Sequence, residues 1–486
     1  MQIPAGVQRM IAVWSHRNYA CFMGGMTPAL ITLWIQRVGT LWLAWELTRS
    51  NYWVGLVVAV DYAPMIVLAP FVGAFTEKSN PILVQKAAQL ASLVIALVMG
   101  SLVLAGAMNI WLLLFLSLVL GIVHPFNAIS RHTIVPATVP KSEIPTALAT
   151  DSALYNAARF IGPAIAGYLI AHAGAGYAFI VNAFGILFYM AGLFAMRLSF
   201  DDRTSHARGS MLGDITEGLA YVRQHPGIGP LFLVMAVGAV WVRPLQDLLP
   251  GFADKVFEAG PTGLGWLTAG MGVGATVAAA FVAMYARTRG LTLAVLLAFL
   301  ANLVATILFC ATGWLWLAVI VAAFWGGTLT MMSTGTQALV QSAVDNQLRA
   351  RVMSLYTMIY RGVPAVGAVI IGWLADRIGL QLAFAAAALL CLPAWLTAIR
   401  RRETITVALE GGTNDFDQRL AAASKAWAGI GYERVIDLRE RAGPLLGKLR
   451  EKAKSAAERT RATKIGDKLP NLKSPNLKTG RRDDLS

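Results

Sequence analysis

Cysteine is nearly absent from this chain of 486 residues. The three that occur, Cys21, Cys310 and Cys391, lie in separate apolar segments, with neither a paired framework nor the spacing of metal ligands. These positions exclude a disulfide-linked scaffold and a cysteine-based metal centre. We interpret the cysteines as small packing residues and expect neither a metal nor a cofactor.

Nucleotide-binding loops are also lacking. The glycine-rich segment 270–274 lies inside an apolar stretch with no strand before it, where small residues let helices pack closely. Segment 443–449 is one residue short of a phosphate loop and lacks its final Ser or Thr. The sequence therefore predicts no ATP site and no enzyme, and any transport must be driven by a gradient.

Acidic residues are few: 26 Asp and Glu stand against 41 Lys and Arg, a formal net charge of +15. In a soluble protein this excess would favour nucleic-acid binding. Here the bias of basic residues toward cytoplasmic loops and a basic C-terminal segment account for it. We expect no nucleic-acid partner.

Apolar sequence is what the chain has in abundance, with 57% hydrophobic residues and a mean hydropathy of +0.59. A helix of about 18 or more apolar residues crosses the hydrocarbon layer, where every backbone polar group must be bonded internally. The sequence predicts an all-α membrane protein with twelve such spans, at about 18–46, 53–76, 82–106, 108–130, 148–171, 175–197, 228–251, 262–286, 291–311, 314–339, 352–375 and 379–400.

The loops between these segments predict the orientation. Those on the side of the N-terminus are rich in Lys and Arg, whereas the opposite loops contain only Arg49, Lys255 and Arg377. We therefore expect both termini to be cytoplasmic, in the plasma membrane of a bacterium, and we call the opposite side of the bundle the outer end.

An internal repeat suggests two halves. At an offset of 205 residues, Val135 aligns with Val340, Tyr155 with Tyr360, Gly167 with Gly372 and Gly174 with Gly379. Both copies run in the same direction, as in parallel transporter repeats. Chance similarity between apolar segments is the alternative. The predicted organisation is two six-helix bundles, 1–198 and 228–400, joined by the linker 199–227 and followed by the tail 401–486.

The linker and the tail are predicted to lie at the membrane surface. Apolar residues recur at helical spacing over 211–222, which indicates an amphipathic interfacial helix. The tail is basic and interrupted by glycine and proline, so we expect helical and disordered stretches that contact anionic lipid. A protein partner for the tail is the alternative.

Four stretches of sequence resemble the major facilitator superfamily, and within it the bacterial branch of enterobactin exporters and macrolide efflux pumps. They are 36–50, 158–167, 221–226 and 248–253, and the resemblance covers about residues 1–400. It implies two six-helix bundles that export a small amphipathic molecule by alternating access. It also implies a cytoplasmic gate at Gly73, Glu77 and Lys78, where basic residues of the family pattern are missing. Because Lys lacks the bidentate geometry of Arg, we expect a weaker latch.

Ionisable side chains inside spans are costly and mark function by default. Asp61 and Asp247 are the first candidates for proton coupling and Asp151 the third; a structural ion pair is the alternative. Arg243 and Asp247, four residues apart, are expected to pair on one helix face. His124 is interpreted as a packed neutral histidine. The candidates for the substrate cavity are Trp34, Arg37, Arg159, Trp241, Arg243 and Arg361.

Trp45, Tyr52 and Trp53 are interpreted as anchors at the membrane interface. The functional prediction is a secondary transporter, proton-coupled and exporting, with a small molecule, protons and the bilayer as its partners. A lipid or lysophospholipid facilitator is one alternative. A transport-inactive scaffold that presents its tail to a partner is the other.

Overall fold

A computed structural model describes residues 12–198, 211–284 and 290–411, and these are helical with no strand in the described ranges. A 3-10 turn, Lys141–Glu143, precedes the fifth helix. In chain order the helices are α1 (Arg17–Thr48), α2 (Asn51–Lys78), α3 (Pro81–Leu104), α4 (Ile110–Ala137), α5 (Ile144–Ala173), α6 (Ala175–Ala195), α7 (Met211–Gln224), α8 (Ile228–Trp241), α9 (Gly260–Met284), α10 (Leu291–Ala311), α11 (Leu315–Ala343), α12 (Asn346–Thr357), α13 (Val363–Ile378), α14 (Leu380–Arg400) and α15 (Arg402–Glu410).

Within the described residues, ten helical segments are long and apolar enough to cross a membrane. They coincide with ten of the twelve predicted spans. The other two predictions, 18–46 and 148–171, coincide with α1 and α5, helices of 32 and 30 residues with a larger share of polar side chains. Large apolar side chains such as Trp111 and Trp314 remain 68% and 78% exposed, as expected of surfaces that face lipid.

The two halves of the bundle meet along α2 with α13 and α5 with α9. A Cβ atom at Gly167 of α5 would lie 2.7 Å from the Cα of Gly265 in α9, and one at Gly372 of α13 would lie 2.4 Å from the carbonyl oxygen of Asn51. Only glycine allows these helices to approach so closely. The two glycines that the repeat aligned therefore occupy equivalent places at the interface, which supports a parallel repeat.

The predicted linker helix is present as α7 and packs against α12 of the second half. The carboxylate of Glu217 forms an ion pair with the guanidinium of Arg351 at 2.6 Å. The side chains of 211–216 lie outside the described residues. Contact of α7 with the membrane surface stays a prediction.

The packed part of the chain continues past residue 400, where the tail was predicted to begin. Helix α15 buries Ile405 and Leu409 against the second half. The carboxylate of Glu410 accepts from the backbone N–H groups of Gly290 at 2.5 Å and Thr292 at 2.7 Å, at the start of α10. Burial and capping thus join α15 to the bundle. The predictions for the tail beyond 411 lie outside the described residues.

The predicted cytoplasmic gate lies at the end of α2. The backbone of Gly73 is open enough to admit a Cβ atom without contact. The side chains of Glu77 and Lys78 lie outside the described residues, so the strength of the latch stays a prediction.

Candidate functional site

The seventh predicted span is not one continuous helix. Helix α8 ends at Trp241 and is followed by a 3-10 turn (Arg243–Gln246), a single α turn (Leu249–Gly251) and a π segment (Phe252–Val256). Pro244 and Pro250 interrupt it because proline lacks an N–H and clashes with the preceding turn. Backbone of this kind is tolerated at membrane depth where protein buries it or where it lines a cavity.

The expected pairing of Arg243 with Asp247 is wrong. In the 3-10 turn the two residues no longer stand one α turn apart, and no ion pair joins them among the described residues. Asp247 instead pairs with Arg37, which lies 210 positions earlier in the chain.

Arg37 lies between two carboxylates from different halves. Its Nη1 donates to Asp61 of α2 at 3.0 Å, and its Nη2 donates to Asp247 of the second half at 3.0 Å. The guanidinium carbon also lies 4.8 Å from the ring centre of Tyr62. The side chains are 19% exposed for Arg37, 11% for Asp61 and 8% for Asp247. Arg37, Asp61 and Asp247 therefore form a buried ion cluster, the Arg37 cluster, that ties the halves together.

His124, which the sequence analysis interpreted as a packed neutral histidine, lies next to this cluster. Its Nδ1 lies 3.4 Å from Oδ1 of Asp61. With Arg37 charged and both carboxylates ionised, the cluster has one excess negative charge.

A second set of charges, the arginine group, consists of Arg159, Arg243 and Arg361. Arg159 donates to the side-chain oxygen of Gln246 at 2.9 Å, and its guanidinium carbon lies 5.8 Å from the ring of Trp34. Arg243 lies over the ring of Tyr360 at 4.7 Å.

The three cations are neighbours in the fold, because Gln246, the partner of Arg159, belongs to the same 3-10 turn as Arg243, and Arg361 follows Tyr360 in its π segment. In the part of the chain that the structure describes, no carboxylate lies within 4 Å of Arg159, Arg243 or Arg361. The sequence contained one signal of this arrangement, the alignment of Tyr360 with Tyr155. Both tyrosines lie beside an arginine, because Arg131 is 5.4 Å from the ring of Tyr155.

Two of the predicted site residues lie apart from these groups. Asp151 accepts from Arg131 of α4 at 2.5 Å, an ion pair within the first half. Trp241 is half-buried against the main hydrophobic core, and no ring contact joins it to the charged side chains among the described residues. The geometry brings together the other candidates: Trp34, Arg37, Asp61, Arg159, Arg243, Asp247 and Arg361.

The halves are also joined at the outer end, through residues that the sequence did not reveal. Asp376, at the end of α13, accepts from the hydroxyl of Ser50 at 2.5 Å, the N–H and side-chain amide of Asn51 at 2.8 and 2.9 Å, and the N–H of Tyr52 at 3.0 Å. A carboxylate in this place caps the first turn of α2 and complements its dipole. One half thus supplies the helix cap of the other.

Asp254 makes a second tie at this end. Its carboxylate accepts from the indole N–H of Trp45 at 3.0 Å and from Arg49. Trp45 is fully buried, so its interpretation as a membrane-interface anchor is wrong. Further hydrogen bonds between the halves join Arg37 to Asp247, Arg159 to Gln246 and Lys255 to the carbonyl oxygen of Arg49.

His225, outside the spans, holds the start of α8. Its Nδ1 accepts from the N–H groups of Gly227 at 3.1 Å and Ile228 at 3.2 Å. Burial lowers the pKa of this imidazole to about 4, so it is neutral at ordinary pH.

Comparison with known proteins agrees with the fold. The chain is similar to macrolide efflux protein A of Streptococcus pyogenes, at 19% identity over 76% of this chain and 91% of that one. It is similar to the multidrug efflux pump Tap of Mycolicibacterium fortuitum, at 25% identity over 61% and 72%.

Solved transporter structures share the fold. The nucleoside transporter NupG, as a D323A mutant, superposes with a TM-score of 0.61 at 11% identity, covering 80% of this chain and 99% of that one. An inward-facing bacterial homologue of the human lysosomal transporter Spinster gives a TM-score of 0.57 at 14% identity, over 82% and 98%.

The family model described as transmembrane secretion effector matches residues 20–425. That match spans most of the chain, and the relatives are transporters rather than enzymes. The protein belongs to the transmembrane secretion effector family of the major facilitator superfamily and is a multi-pass membrane transporter.

Proposed function

We propose that this transporter exports a small amphipathic molecule by alternating access, driven by protons that enter through the Arg37 cluster. In this proposal α1 and α5 complete a set of twelve spans, and both termini lie in the cytoplasm of a bacterial cell. The main support for the proposal is the position of Arg37, which is bound by one carboxylate from each half.

The cluster offers a physical route from proton binding to movement. The guanidinium of arginine stays charged at any working pH, so only its partners can change charge. Two unit charges about 4 Å apart attract by about 4 kcal/mol at an effective dielectric constant of about 20. Protonation of Asp247 would remove most of that attraction and loosen the tie between the halves. Asp61 would keep Arg37 neutralised while this happened.

The closed outer end supports a cycle that begins on the opposite side. Asp376 and Asp254 hold the halves together at the outer end. A substrate would therefore load from the cytoplasm, and the outer end would open after loading. A proton from outside would then bind the cluster, and the loosened tie would let the empty carrier return and release that proton into the cytoplasm. The efflux names of the two sequence relatives agree with this direction.

The test uses purified protein in liposomes with a pH gradient. A compound is first identified by the sensitivity of a deletion strain to a panel of toxic molecules and by its accumulation of secreted metabolites. We expect Asp247→Asn and Asp61→Asn to abolish uphill transport and to leave exchange of substrate across the membrane measurable. Asp151→Asn is the control carboxylate, since it pairs with Arg131 within one half.

Uphill transport that persists in the double variant of Asp61 and Asp247 would eliminate the cluster as the proton route. Transport that ignores the pH gradient in the unmodified protein would favour a facilitator of lipids. Absence of all transport and exchange would favour the scaffold alternative.

A further inference from the structure

We infer that the exported molecule is an anion: a ring-bearing, apolar compound whose carboxylate is bound by the arginine group. The inference rests on the proposed function and specifies its substrate. A soluble aromatic acid is the occupant to which it commits.

The balance of charge in the centre of the bundle is positive. The Arg37 cluster contributes +1 and −2, and Arg159, Arg243 and Arg361 contribute +3, so the sum is +2. The two sets are close, because Asp247 of the Arg37 cluster directly follows the 3-10 turn Arg243–Gln246, which contains Arg243 and the partner of Arg159. A guanidinium inside a membrane span is costly, so three such cations without a counter-charge in the chain mark a functional site by default.

Two other arginines of the spans form ion pairs with carboxylates of the chain. Arg37 has carboxylates at 3.0 Å and Arg131 has one at 2.5 Å. The three members of the arginine group have no such partner among the described residues, and Arg361 is exposed in its π segment. They are placed to meet a negative charge that the chain itself does not supply.

Two buried donors point to the same ligand chemistry. The Nε atom of Arg243 and the indole nitrogen of Trp34 are buried and have no acceptor in the described structure. A buried donor left without an acceptor is destabilising, because it has lost its hydrogen bonds to water. Both groups can only donate, so the ligand must accept. A carboxylate does this best, since the guanidinium fork matches its two oxygens.

Aromatic rings flank these donors and favour a ligand with an apolar body. Trp34 lies edge to face with Tyr155 at 6.1 Å, and Tyr356 stacks on Tyr360 at 5.9 Å with 9° between the planes. Rings at such positions bind other rings by offset or edge contacts. A cationic amphiphile would instead place its charge among three guanidinium groups, while the carboxylates nearby are already paired with Arg37.

The experiment measures binding to the full chain in phosphatidylcholine nanodiscs, so that no anionic lipid competes. Each set of probes has one ring system in three forms: an aromatic acid such as 2-naphthaleneacetate, its amide and the corresponding amine. The sets differ in the size of the ring system. We expect the acid to bind at least tenfold tighter than the amide, and the amine to bind weakest. Raised salt should reduce the preference.

Variants locate the binding. Arg159→Gln, Arg243→Gln and Arg361→Gln should each weaken binding of the acid about tenfold or more and leave the amide unchanged, whereas Arg243→Lys should restore part of the loss. Arg377→Gln is the matched control, because that guanidinium lies exposed at the outer end, 3.9 Å from the ring of Trp373. It should bind like the unmodified protein.

The inference is overturned if no acid binds better than its amide, or if the amine binds tightest. It is also overturned if lysophosphatidate alone among anions binds, since the occupant would then be a lipid. Uphill transport of a neutral or cationic probe, without any preference for acids, would agree with the proposed export function and refute the inference that the substrate is an anion. Tight, arginine-dependent binding of acids that are never transported would refute the proposed export, and the arginine group would remain a binding site for acids.

Discussion

Replacing Asp376 by Asn should open the outer end of the transporter. The Asn side chain keeps one acceptor oxygen, which can still serve Asn51, but it places an NH2 group where Oδ2 now accepts from Ser50 and Tyr52. Loss of a helix cap costs about 0.5 to 2 kcal/mol, and Asp376 is exposed, which keeps the effect within that range. Because the cap joins the halves, most of this cost falls on the closed state.

A change of about 1 to 2 kcal/mol alters an equilibrium by about 5- to 30-fold. We therefore expect a visible growth of the outward-open population, measured by pulsed electron paramagnetic resonance between spin labels at Ala105 and Gly313. These positions are exposed in outer loops of different halves. The labels require prior replacement of the three native cysteines, and transport by that background is checked first.

Asp345→Asn is the control, since Asp345 precedes α12 at the opposite end and its side chain makes no cap hydrogen bond. An unchanged distance distribution in Asp376→Asn, in protein that folds normally, would refute the idea that this cap holds the outer end closed. A similar shift in the control would show that the effect is not specific to the cap.

Three further predictions concern stability and the limits of the fold. Gly167→Ala should destabilise the purified protein by about 1 to 3 kcal/mol in thermal unfolding, because the added methyl group overpacks against Gly265. Gly24→Ala is the control and should be neutral or stabilising, since nothing lies within 4 Å of its added atom. Equal effects of the two substitutions would contradict the close approach of α5 and α9. The pKa of His225 is below its usual value, so the unfolded chain binds the proton more readily, and the free energy of unfolding should fall as pH drops from about 6.5 toward 4. His225→Asn, which can still cap α8, should flatten that dependence in denaturation curves; an unchanged slope would exclude His225 as its source. Truncation after residue 411 should leave folding and transport intact, whereas truncation after 401 should destabilise the second half in the same thermal assay. Glu410→Gln should reproduce part of that loss, because its carboxylate caps the start of α10. Glu403→Gln is the control and should not.

Much of the fold could be predicted from the sequence because hydropathy is a property of each segment by itself. Ten predicted spans coincide with apolar helices of the structure, and α1 and α5 lie where the other two were expected. The alignment of Gly167 with Gly372 suggested a repeat, and the structure places each of these glycines at a close backbone approach between the halves, where a side chain would not fit. Asp61, Asp247 and the arginines were found as candidates for a related reason, since charge inside a span is rare.

What the sequence by itself determined was therefore which segments enter the membrane and which side chains in them are exceptional. Only the tertiary structure decided the partners: Asp247 with Arg37 and not with Arg243, Asp376 with the start of α2, and α15 with the bundle. The reason is that an ion pair or a helix cap depends on two groups being close in space, and these groups are up to 326 positions apart in the chain. The break after Trp241 had a local signal in its prolines, but its consequence, a carboxylate turned toward the other half, exists only in the folded bundle.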